Sequence, residues 1–259
     1  MDLQLKGKVF LITGGSSGLG KALAGQLVRE GARGVAIMAR DGERLAVTAG
    51  ALREIGGDVL ELAGDVRSVE DLGRFVESAT DRWGRIDGLA NNAGELAAGS
   101  FADHDDDVWE QDIALKLMGA VRLTRLALPA LRESRGAVLN TLAISGKAPD
   151  AFTTPTSVSR AAGLALTKAL SRELAVHGIR VNAVLIGVIE SGQLERYAAA
   201  AGLTPQAYYA RMVTDSNIPL GRVGRPEEFA QLASFLLSAR ASYVTGTAIN
   251  LDGGLCPVV

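Results

Sequence analysis

The chain has 259 residues, of which 47% are hydrophobic and 22% are charged, with a single cysteine. This composition excludes a disordered or fibrous chain, and the length favours one large domain spanning residues 1–259. The 27 Lys and Arg residues against 29 Asp and Glu give a formal net charge of −2. That balance lacks the basic surplus of a nucleic-acid-binding protein.

Three further absences concern location. No apolar run approaches the roughly 18 residues that span a bilayer. The first residues, Met1 to Lys8, lack the apolar core of a signal peptide. Cys256 has no partner for an internal disulfide. We therefore expect a cytoplasmic protein with no membrane or nucleic-acid partner.

Short β-branched or apolar runs predict seven strands. In chain order they are Val9–Ile12, Val35–Ala39, Val59–Leu62, Ile86–Ala90, Val138–Thr141, Ile179–Val184 and Ala248–Leu251. Helical patterns such as Gly18–Glu30 and Glu43–Ile55 separate most of them, at about 30 residues per strand–helix unit. Because the strands do not alternate between apolar and polar residues, both of their faces are expected to be buried. The sequence therefore predicts an α/β fold with a parallel sheet and helices on both faces.

The glycine-rich run Thr13–Gly20, TGGSSGLG, follows the first strand and opens the first helix. Glycines allow a tight turn and a close approach to a ligand, and a helix N-terminus offers free N–H groups to a phosphate. The same region, from Gly15 to Lys21, also matches the phosphate loop of nucleoside triphosphatases. The next residue of that motif should hold magnesium, but Ala22 has no oxygen. A tight turn without a ligand is the remaining alternative.

Two more strands are followed by polar turns. Asp65–Val66 comes after the third strand and Asn91–Gly94, NNAG, after the fourth. Each turn alone could be merely structural. Together with the glycine-rich turn they gather at the carboxyl ends of parallel strands, where open α/β sheets bind ligands.

The second half of the chain departs from the short strand–helix rhythm. Val108–Arg132 and Ser157–His177 are each predicted as one long helix, and Arg225–Glu228 opens another. Between the last two strands, short helices at about 190–216 form an insertion that carries three of the four tyrosines.

With these motifs the sequence resembles the short-chain dehydrogenase/reductase family over nearly its whole length. Further matching segments are Arg180–Asn182, Gly187, Pro219–Arg222, Arg225–Glu228, Thr245–Gly246 and Asp252–Gly254. The resemblance implies a Rossmann-type doubly wound single domain, a nicotinamide cofactor and a small-molecule substrate. It also implies homodimers or homotetramers built through the two long helices, and a substrate lid at about 190–216.

The resemblance also assigns residues to the ligands. The implied cofactor-binding residues are Gly14, Ser16, Ser17, Gly18 and Leu19 at the pyrophosphate and ribose, Asp65 and Val66 at the adenine, Asn91, Ala93 and Gly94 at the nucleosides, and Arg160, Gly187 and Ile189. The implied lid residues are Gln193, Tyr197, Tyr208 and Tyr209.

The end of the second strand predicts which nicotinamide cofactor is used. An acid there favours NAD, whereas a base favours the 2′-phosphate of NADP. Ala39 stands at the acid position and Arg40, a fork suited to phosphate, comes next. Asp41 could neutralise Arg40. We expect NADP(H) to be preferred, with NAD(H) possible.

The four catalytic positions of the family, Asn, Ser, Tyr and Lys, are all substituted. They are occupied by Lys116, Ala143, Thr156 and Arg160 respectively. Losing a positioned proton donor costs roughly 10² to 10⁴ in rate. Arg160 could still bind ribose hydroxyls, but a guanidinium keeps its proton at neutral pH and is therefore not expected to act as the acid or base.

Several groups could replace the missing phenol. Lys116 is the best candidate, because a desolvated lysine can approach a neutral pKa, although it could instead cap the solvent edge of its helix. A lid tyrosine is a second candidate. Ser191 is expected to cap a helix rather than act on the cofactor. The run Asp103–Asp107 has metal-ligand residue types, but we expect helix capping there and no metal.

Three functions stay open on the sequence alone. The first is an NADP-dependent oxidoreductase with a non-standard acid. The second is a protein that binds NADP without turning it over. The third is non-redox chemistry, such as hydration or elimination, in the same pocket.

Overall fold

A computed structural model describes residues 2–97 and 99–259. Its centre is a seven-stranded sheet in the order β3-β2-β1-β4-β5-β6-β7, in which neighbouring strands pair in parallel. The strands are β1 (Val9–Thr13), β2 (Gly34–Ala39), β3 (Val59–Ala63), β4 (Gly88–Asn91), β5 (Ala137–Ala143), β6 (Arg180–Ile186) and β7 (Ala248–Leu251). The predicted fold, a doubly wound parallel sheet of seven strands, is confirmed. The predicted strand bounds differ from these by up to two residues, and β4 begins at Gly88 rather than Ile86.

Helices connect the strands and cover both faces of the sheet. They are α1 (Gly18–Arg29), α2 (Gly42–Glu54), α3 (Val69–Trp83), α4 (Asp106–Ile113), α5 (Gly119–Ser134), α6 (Thr156–Glu173), α7 (Gly192–Ala200), α8 (Pro205–Ser216) and α9 (Pro226–Leu237). On one face, α1, α2 and α9 bury side chains such as Leu23 and Phe229. On the other face, α3 and α5 bury Phe75 and Leu123. Each such side chain stabilises the fold by about 1.5–3 kcal/mol.

The helix predicted over Val108–Arg132 is interrupted in the structure. It consists of α4, one π-helical turn at Ala114–Met118, and α5. Single π turns inside α-helices are frequent at functional sites. This one places Lys116 at its middle, where the helix passes the carboxyl ends of the strands.

The crevice predicted from the polar turns lies beside β1. The chain runs outward from β1 to β2 and β3 on one side, and from β4 onward on the other. Open α/β sheets bind ligands at such a switch point. The turns after β1 and β4 are joined there, because the Thr13 side chain accepts hydrogen bonds from the backbone N–H groups of Asn92 (3.0 Å) and Ala93 (3.1 Å).

The insertion at about 190–216 forms α7 and α8, and its role as a substrate lid stays a prediction. None of the helices in the described part of the chain combines the length and the apolarity needed to cross a bilayer.

Candidate active site

The glycine-rich turn has the features of a phosphate cradle. Gly14 and Gly18 adopt positive φ angles of 69° and 51°. A Cβ on Gly20 would lie 2.2 Å from the Gly14 carbonyl oxygen, so the turn packs too tightly for any other residue there. A Cβ on Gly18, by contrast, would find its nearest neighbour, Ser191, only at 4.0 Å. The turn is therefore closed on its protein side and open above Gly18.

The first turn of α1 also fits a pyrophosphate. Its N-cap residue, Ser17, makes no side-chain capping bond, and the turn contains no acidic residue. The following two helices are capped by Asp41 and Ser68. The leading N–H groups of α1 are thus available to an anion, which the helix dipole also favours. The residues present fit the dinucleotide that the sequence predicts.

The two asparagines after β4 have internal partners. The Asn91 side chain donates to Asn140 (2.8 Å) and Thr124 (3.2 Å), so it fixes the strand end rather than facing a ligand. Asn92 donates to the Thr13 carbonyl at 3.1 Å, while its side-chain oxygen is buried without a partner among the described residues. Of this predicted group, Ala93 and Gly94 therefore offer only backbone to a nucleoside.

Arg40 lies at the end of β2, as predicted, but its ionic partner was not anticipated. Asp41 caps α2 by accepting from the Arg44 N–H and pairs with the Arg44 side chain at 3.6 Å. The idea that Asp41 neutralises Arg40 is therefore wrong. Instead, Arg40 pairs with Glu95 at 3.5 Å, and both side chains are about half exposed, at 55% and 53%.

Asp65 and Val66 lie where an adenine ring is expected. Arg67 binds the Asp65 carboxylate through two nitrogens, at 2.6 and 3.0 Å, and this hydrogen bonding lowers the pKa of Asp65. Val66 is buried against Gly119 of α5. Val66 also lines the small cavity beside Asn91 and Ala93.

Lys116 is buried inside the site rather than placed at the solvent edge of its helix. Its side chain is 1% exposed. It lines a small cavity, of about 10 Å³, together with Val66, Asn91 and Ala93. Its Nζ donates to the Thr156 hydroxyl at 2.6 Å and forms an ion pair with Asp112. The capping alternative for Lys116 is therefore excluded.

Asp112 and Ser159 join Lys116 and Thr156 in a set of hydrogen-bonded side chains that we call the Lys116 cluster. Neither Asp112 nor Ser159 was predicted from the sequence. The Asp112 side chain is 3% exposed and accepts a hydrogen bond from the Ser159 hydroxyl at 2.5 Å. The spacing of Asp112 and Lys116, four residues apart on a predicted helix, was the available signal for an ion pair. Ser159 follows Thr156 by one helical turn, which also places it on the same face of α6.

Thr156, at the family's tyrosine position, has no hydrogen-bonding capacity left for a substrate. Its hydroxyl donates to the Ala97 carbonyl at 2.9 Å and accepts from the Ala97 N–H at 3.0 Å and from Lys116. A hydroxyl has one proton and two lone pairs, so all three are used. Residues 94–97, which we call the β4 loop, are thereby fastened over the Lys116 cluster.

Arg160, at the family's lysine position, is a buried cation. One nitrogen donates to the Thr141 carbonyl at 2.7 Å, while Nε is buried with no partner in the described part of the chain. A Cβ on Gly94 would lie 2.7 Å from another Arg160 nitrogen, so the guanidinium lies directly against the β4 loop. A buried donor without a partner is costly, and a ligand hydroxyl at this position would satisfy it. Ala143, the family's serine position, ends β5 and supplies no polar group.

The electrostatics of the cluster favour a proton that can be released. Burial, aided by the nearby Arg160 charge, lowers the pKa of Lys116 to about 8, even though Asp112 acts in the opposite direction. Burial also lowers the pKa of Arg160, to about 10. Lys116 is therefore the group in this cluster whose proton is exchangeable near neutral pH.

The lid residues do not join this cluster in the structure. Gln193 donates to the Tyr197 hydroxyl at 2.8 Å on the exposed side of α7. Tyr208 is half-buried on α8. The Tyr209 hydroxyl is buried, and burial raises its pKa. Ser191 caps α7 by accepting from the Leu194 N–H, as predicted.

The segment after β6 approaches the cradle from the other side. Gly187 lies against Asp252, and Ile189 pairs with Gly224 in an isolated bridge. A groove of about 820 Å³ runs beside Ser16–Gly18 between α1, α2, α7 and α9. The four substituted catalytic positions do not line that groove, so it is separate from the Lys116 cluster.

The acidic run at Asp103–Asp107 acts as a helix cap. Asp105 accepts a hydrogen bond from the Val108 N–H at 3.0 Å at the start of α4. Within residues 2–97 and 99–259, the side chains do not bring together three potential metal ligands.

Comparisons with known proteins identify reductases that are similar to this chain over nearly its whole length. A family model described as enoyl-(acyl carrier protein) reductase matches residues 14–256. The 3-oxoacyl-acyl-carrier-protein reductase of Thermotoga maritima is 35% identical over 98% of this chain and 99% of its own.

Two solved structures are similar to this chain over nearly their whole lengths. The L-sorbose reductase of Gluconobacter frateurii, complexed with NADPH and L-sorbose, has a TM-score of 0.94, 33% identity and complete coverage of both chains. A short-chain oxidoreductase of Pseudomonas aeruginosa PAO1, bound to NADPH and described as containing an atypical catalytic center, has a TM-score of 0.92, 34% identity and coverage of 97% and 98%. Both hold NADPH, which supports the predicted preference for NADP(H). With its glycine-rich cradle, its seven-stranded sheet and these relatives, the chain belongs to the short-chain dehydrogenase/reductase family.

Proposed function

We propose that this protein is an NADPH-dependent reductase of a small carbonyl compound in which Lys116 donates the proton that a tyrosine donates elsewhere in the family. The observation that carries the proposal is the position of the Lys116 ammonium, 2.6 Å from the hydroxyl of the residue at the tyrosine position. The lysine reaches this position from α4–α5, across the crevice from α6. The opposite reaction, oxidation of the alcohol, would use the same group as a base.

The cofactor-binding part of the proposal uses residues of the crevice. The N–H groups at the start of α1 would bind the pyrophosphate, and Arg40 the 2′-phosphate. Arg160, whose Nε is buried and has no partner among the described residues, would bind the ribose next to the nicotinamide. When bound, NADPH supplies a hydride to the carbonyl carbon.

Lys116 performs the proton transfer in this scheme. An ammonium group has three N–H donors, and Asp112 and Thr156 take two of them in the described structure. The third can donate to the carbonyl oxygen. As the oxygen gains negative charge, the Lys116 proton moves to it and leaves a neutral amine. A pKa of about 8 suits this role, because such an acid is protonated at neutral pH and still releases its proton readily.

Asp112 and Arg160 set the conditions for that transfer. Asp112 holds the ammonium in place and is itself held by Ser159. Arg160 adds a second buried positive charge that stabilises a developing oxyanion. Lys116 and Arg160 together carry two positive charges, and Asp112 carries one negative charge. The net charge is therefore positive at the place where the reaction creates a negative charge.

Access to Lys116 requires movement of the β4 loop. In the structure, the backbone of Ala97 makes two hydrogen bonds with the Thr156 hydroxyl, and the Lys116 side chain is 1% exposed. Such a loop would exclude water once a substrate is bound, as closing loops do in many enzymes.

The position of the β4 loop over Lys116 also supports a second function. A protein that binds NADPH without turning it over would have this cradle, a saturated Thr156 hydroxyl and a lysine sealed from solvent. The lid role of residues about 190–216, a cytoplasmic location and assembly into a homodimer or homotetramer through α4–α5 and α6 stay predictions.

The experiment combines binding with turnover. NADPH binding is measured by fluorescence titration, and NADPH oxidation is followed by absorbance with a panel of ketones, keto sugars and 3-oxoacyl thioesters. We expect Lys116→Met to lose about 10²- to 10⁴-fold in turnover while it still binds NADPH. Lys168→Met, which changes an exposed lysine whose side chain donates to the Gly246 carbonyl, is the matched control and should retain activity. Turnover unaffected by Lys116→Met would refute the assignment, and wild-type binding without turnover on any carbonyl would favour the second function.

A further inference from the structure

The β4 loop is fastened at two points on opposite sides of the crevice. At one end, Glu95 pairs with Arg40 at the end of β2, at 3.5 Å. At the other end, two residues along, Ala97 is bound through both its N–H and its carbonyl by the Thr156 hydroxyl. Each contact fastens the loop to a residue that the proposed reaction uses. Arg40 would bind the cofactor, and Thr156 holds Lys116 in place.

We propose that Glu95 is a specificity-determining residue, because it occupies Arg40 until the 2′-phosphate of NADPH displaces it and thereby releases the β4 loop from the Lys116 cluster. NADH has no 2′-phosphate, so it leaves the Arg40–Glu95 pair intact and the loop closed. The proposal rests on the proposed function for the identity of the cofactor. It adds that discrimination against NADH occurs at loop opening as well as at the phosphate contact.

Competition for Arg40 follows from the charges around it. A phosphate that binds Arg40 would lie near the Glu95 carboxylate, which already pairs with the same guanidinium. The two anions would repel each other. Arg67 lies near enough to feel the Glu95 charge as well, but its guanidinium is held by Asp65. Arg40 is therefore the cation for which Glu95 and a phosphate compete.

Displacement of Glu95 would be easy and its effect local. Both members of the pair are about half exposed, and exposed ion pairs are weak. Glu95 and Ala97 are separated by one residue, so a shift of Glu95 strains the two hydrogen bonds that Ala97 makes with Thr156. Gly94, which precedes Glu95, lies against Arg160 and forms the fixed end of the loop.

The test uses Glu95→Gln, which keeps the shape of the side chain and removes its charge. Equilibrium titrations give dissociation constants for NADPH and NADH in the wild type and the variant. We expect NADPH to bind about 2- to 5-fold more tightly to Glu95→Gln, with NADH unchanged, since an exposed pair contributes about this factor. Glu77→Gln, which removes the same charge from the exposed side of α3, should change neither constant.

A second measurement reports on the loop itself. Hydrogen exchange of the peptide that contains residues 94–97 is compared between protein saturated with NADPH and protein saturated with NADH. The Ala97 amide should exchange about 2- to 5-fold faster in the NADPH complex. This difference should vanish in Glu95→Gln, because the variant lacks the carboxylate that the 2′-phosphate displaces and that couples the two sites.

Three results would overturn the proposal: weaker NADPH binding by Glu95→Gln, an equal change for both cofactors, or equal exchange at residues 94–97 in the two wild-type complexes. None of these measurements needs turnover, so they stand apart from the test of Lys116 as the acid. A protein that loses activity with Lys116→Met but shows no Glu95 effect keeps the proposed function and loses this inference.

Discussion

Removal of Lys116 should affect stability and catalysis by separate mechanisms, and a second substitution can separate them. In Lys116→Met the Asp112 carboxylate stays buried, at 3% exposure, without its cation. Breaking a buried ion pair in this way costs about 3–5 kcal/mol, because it leaves an uncompensated charge. Asp112 keeps the hydrogen bond from Ser159, so we expect a value near the lower end, about 3 kcal/mol.

The double variant Asp112→Asn/Lys116→Met removes both charges. Replacing a buried pair by neutral groups of similar volume is often nearly neutral, so we expect a cost of less than about 1.5 kcal/mol. Urea unfolding, followed by circular dichroism, measures both free energies. The double variant should recover stability but remain about 10²- to 10⁴-fold slower in carbonyl reduction, because the proton donor is still missing. Equal unfolding free energies for the single and double variants would refute the reasoning, since the pair would then carry no buried charge.

Two further predictions test the cofactor crevice. Arg40→Gln should weaken NADPH binding by about 10-fold and leave NADH binding within about 2-fold, as measured by titration. The reason is that a charge-assisted bond to phosphate contributes about 1.5–3 kcal/mol before solvent screening. An equal loss of affinity for both cofactors would place Arg40 away from the 2′-phosphate. In Gly20→Ala the new Cβ would lie 2.2 Å from the Gly14 carbonyl oxygen and should displace it. We expect this change to destabilise the protein by about 1–3 kcal/mol and to weaken the binding of both cofactors at least 10-fold. Gly50→Ala, where a Cβ on α2 meets nothing within 4 Å, is the matched control in unfolding and titration, and we expect it to stabilise slightly.

The fold could be predicted from the sequence because its signals are local and repeated. Seven apolar runs separated by helical patterns leave few topologies open, and the glycine-rich turn fixes the first crossover. The interruption of the helix at Ala114–Met118 could not be predicted from periodicity, because one extra residue in a turn hardly disturbs an apolar pattern. Lys116 lies at the middle of this interruption and lines the small cavity of the crevice.

The candidate site was predictable where a motif marks a residue and not where a contact decides its role. Alignment with the family's catalytic positions identified Lys116, Thr156 and Arg160. It could not predict the hydrogen bonds that these residues make. Asp41 was the nearest acid to Arg40 in sequence, yet helix capping satisfies it and the ionic partner is Glu95, 55 residues along the chain. Long-range pairs of this kind depend on how strands are ordered in the sheet, which no short motif encodes.

The pH dependence of single-turnover carbonyl reduction, at saturating NADPH and substrate, tests the role of Lys116 most directly. Since Lys116 must carry its proton to donate it, the rate should be constant below its pKa of about 8 and fall about tenfold for each pH unit above it. Lys116→Arg keeps the charge but cannot release a proton, so it should be slow and show no break near pH 8. A wild-type rate that stays level up to pH 10, or a break near pH 8 that persists in Lys116→Arg, would contradict the account.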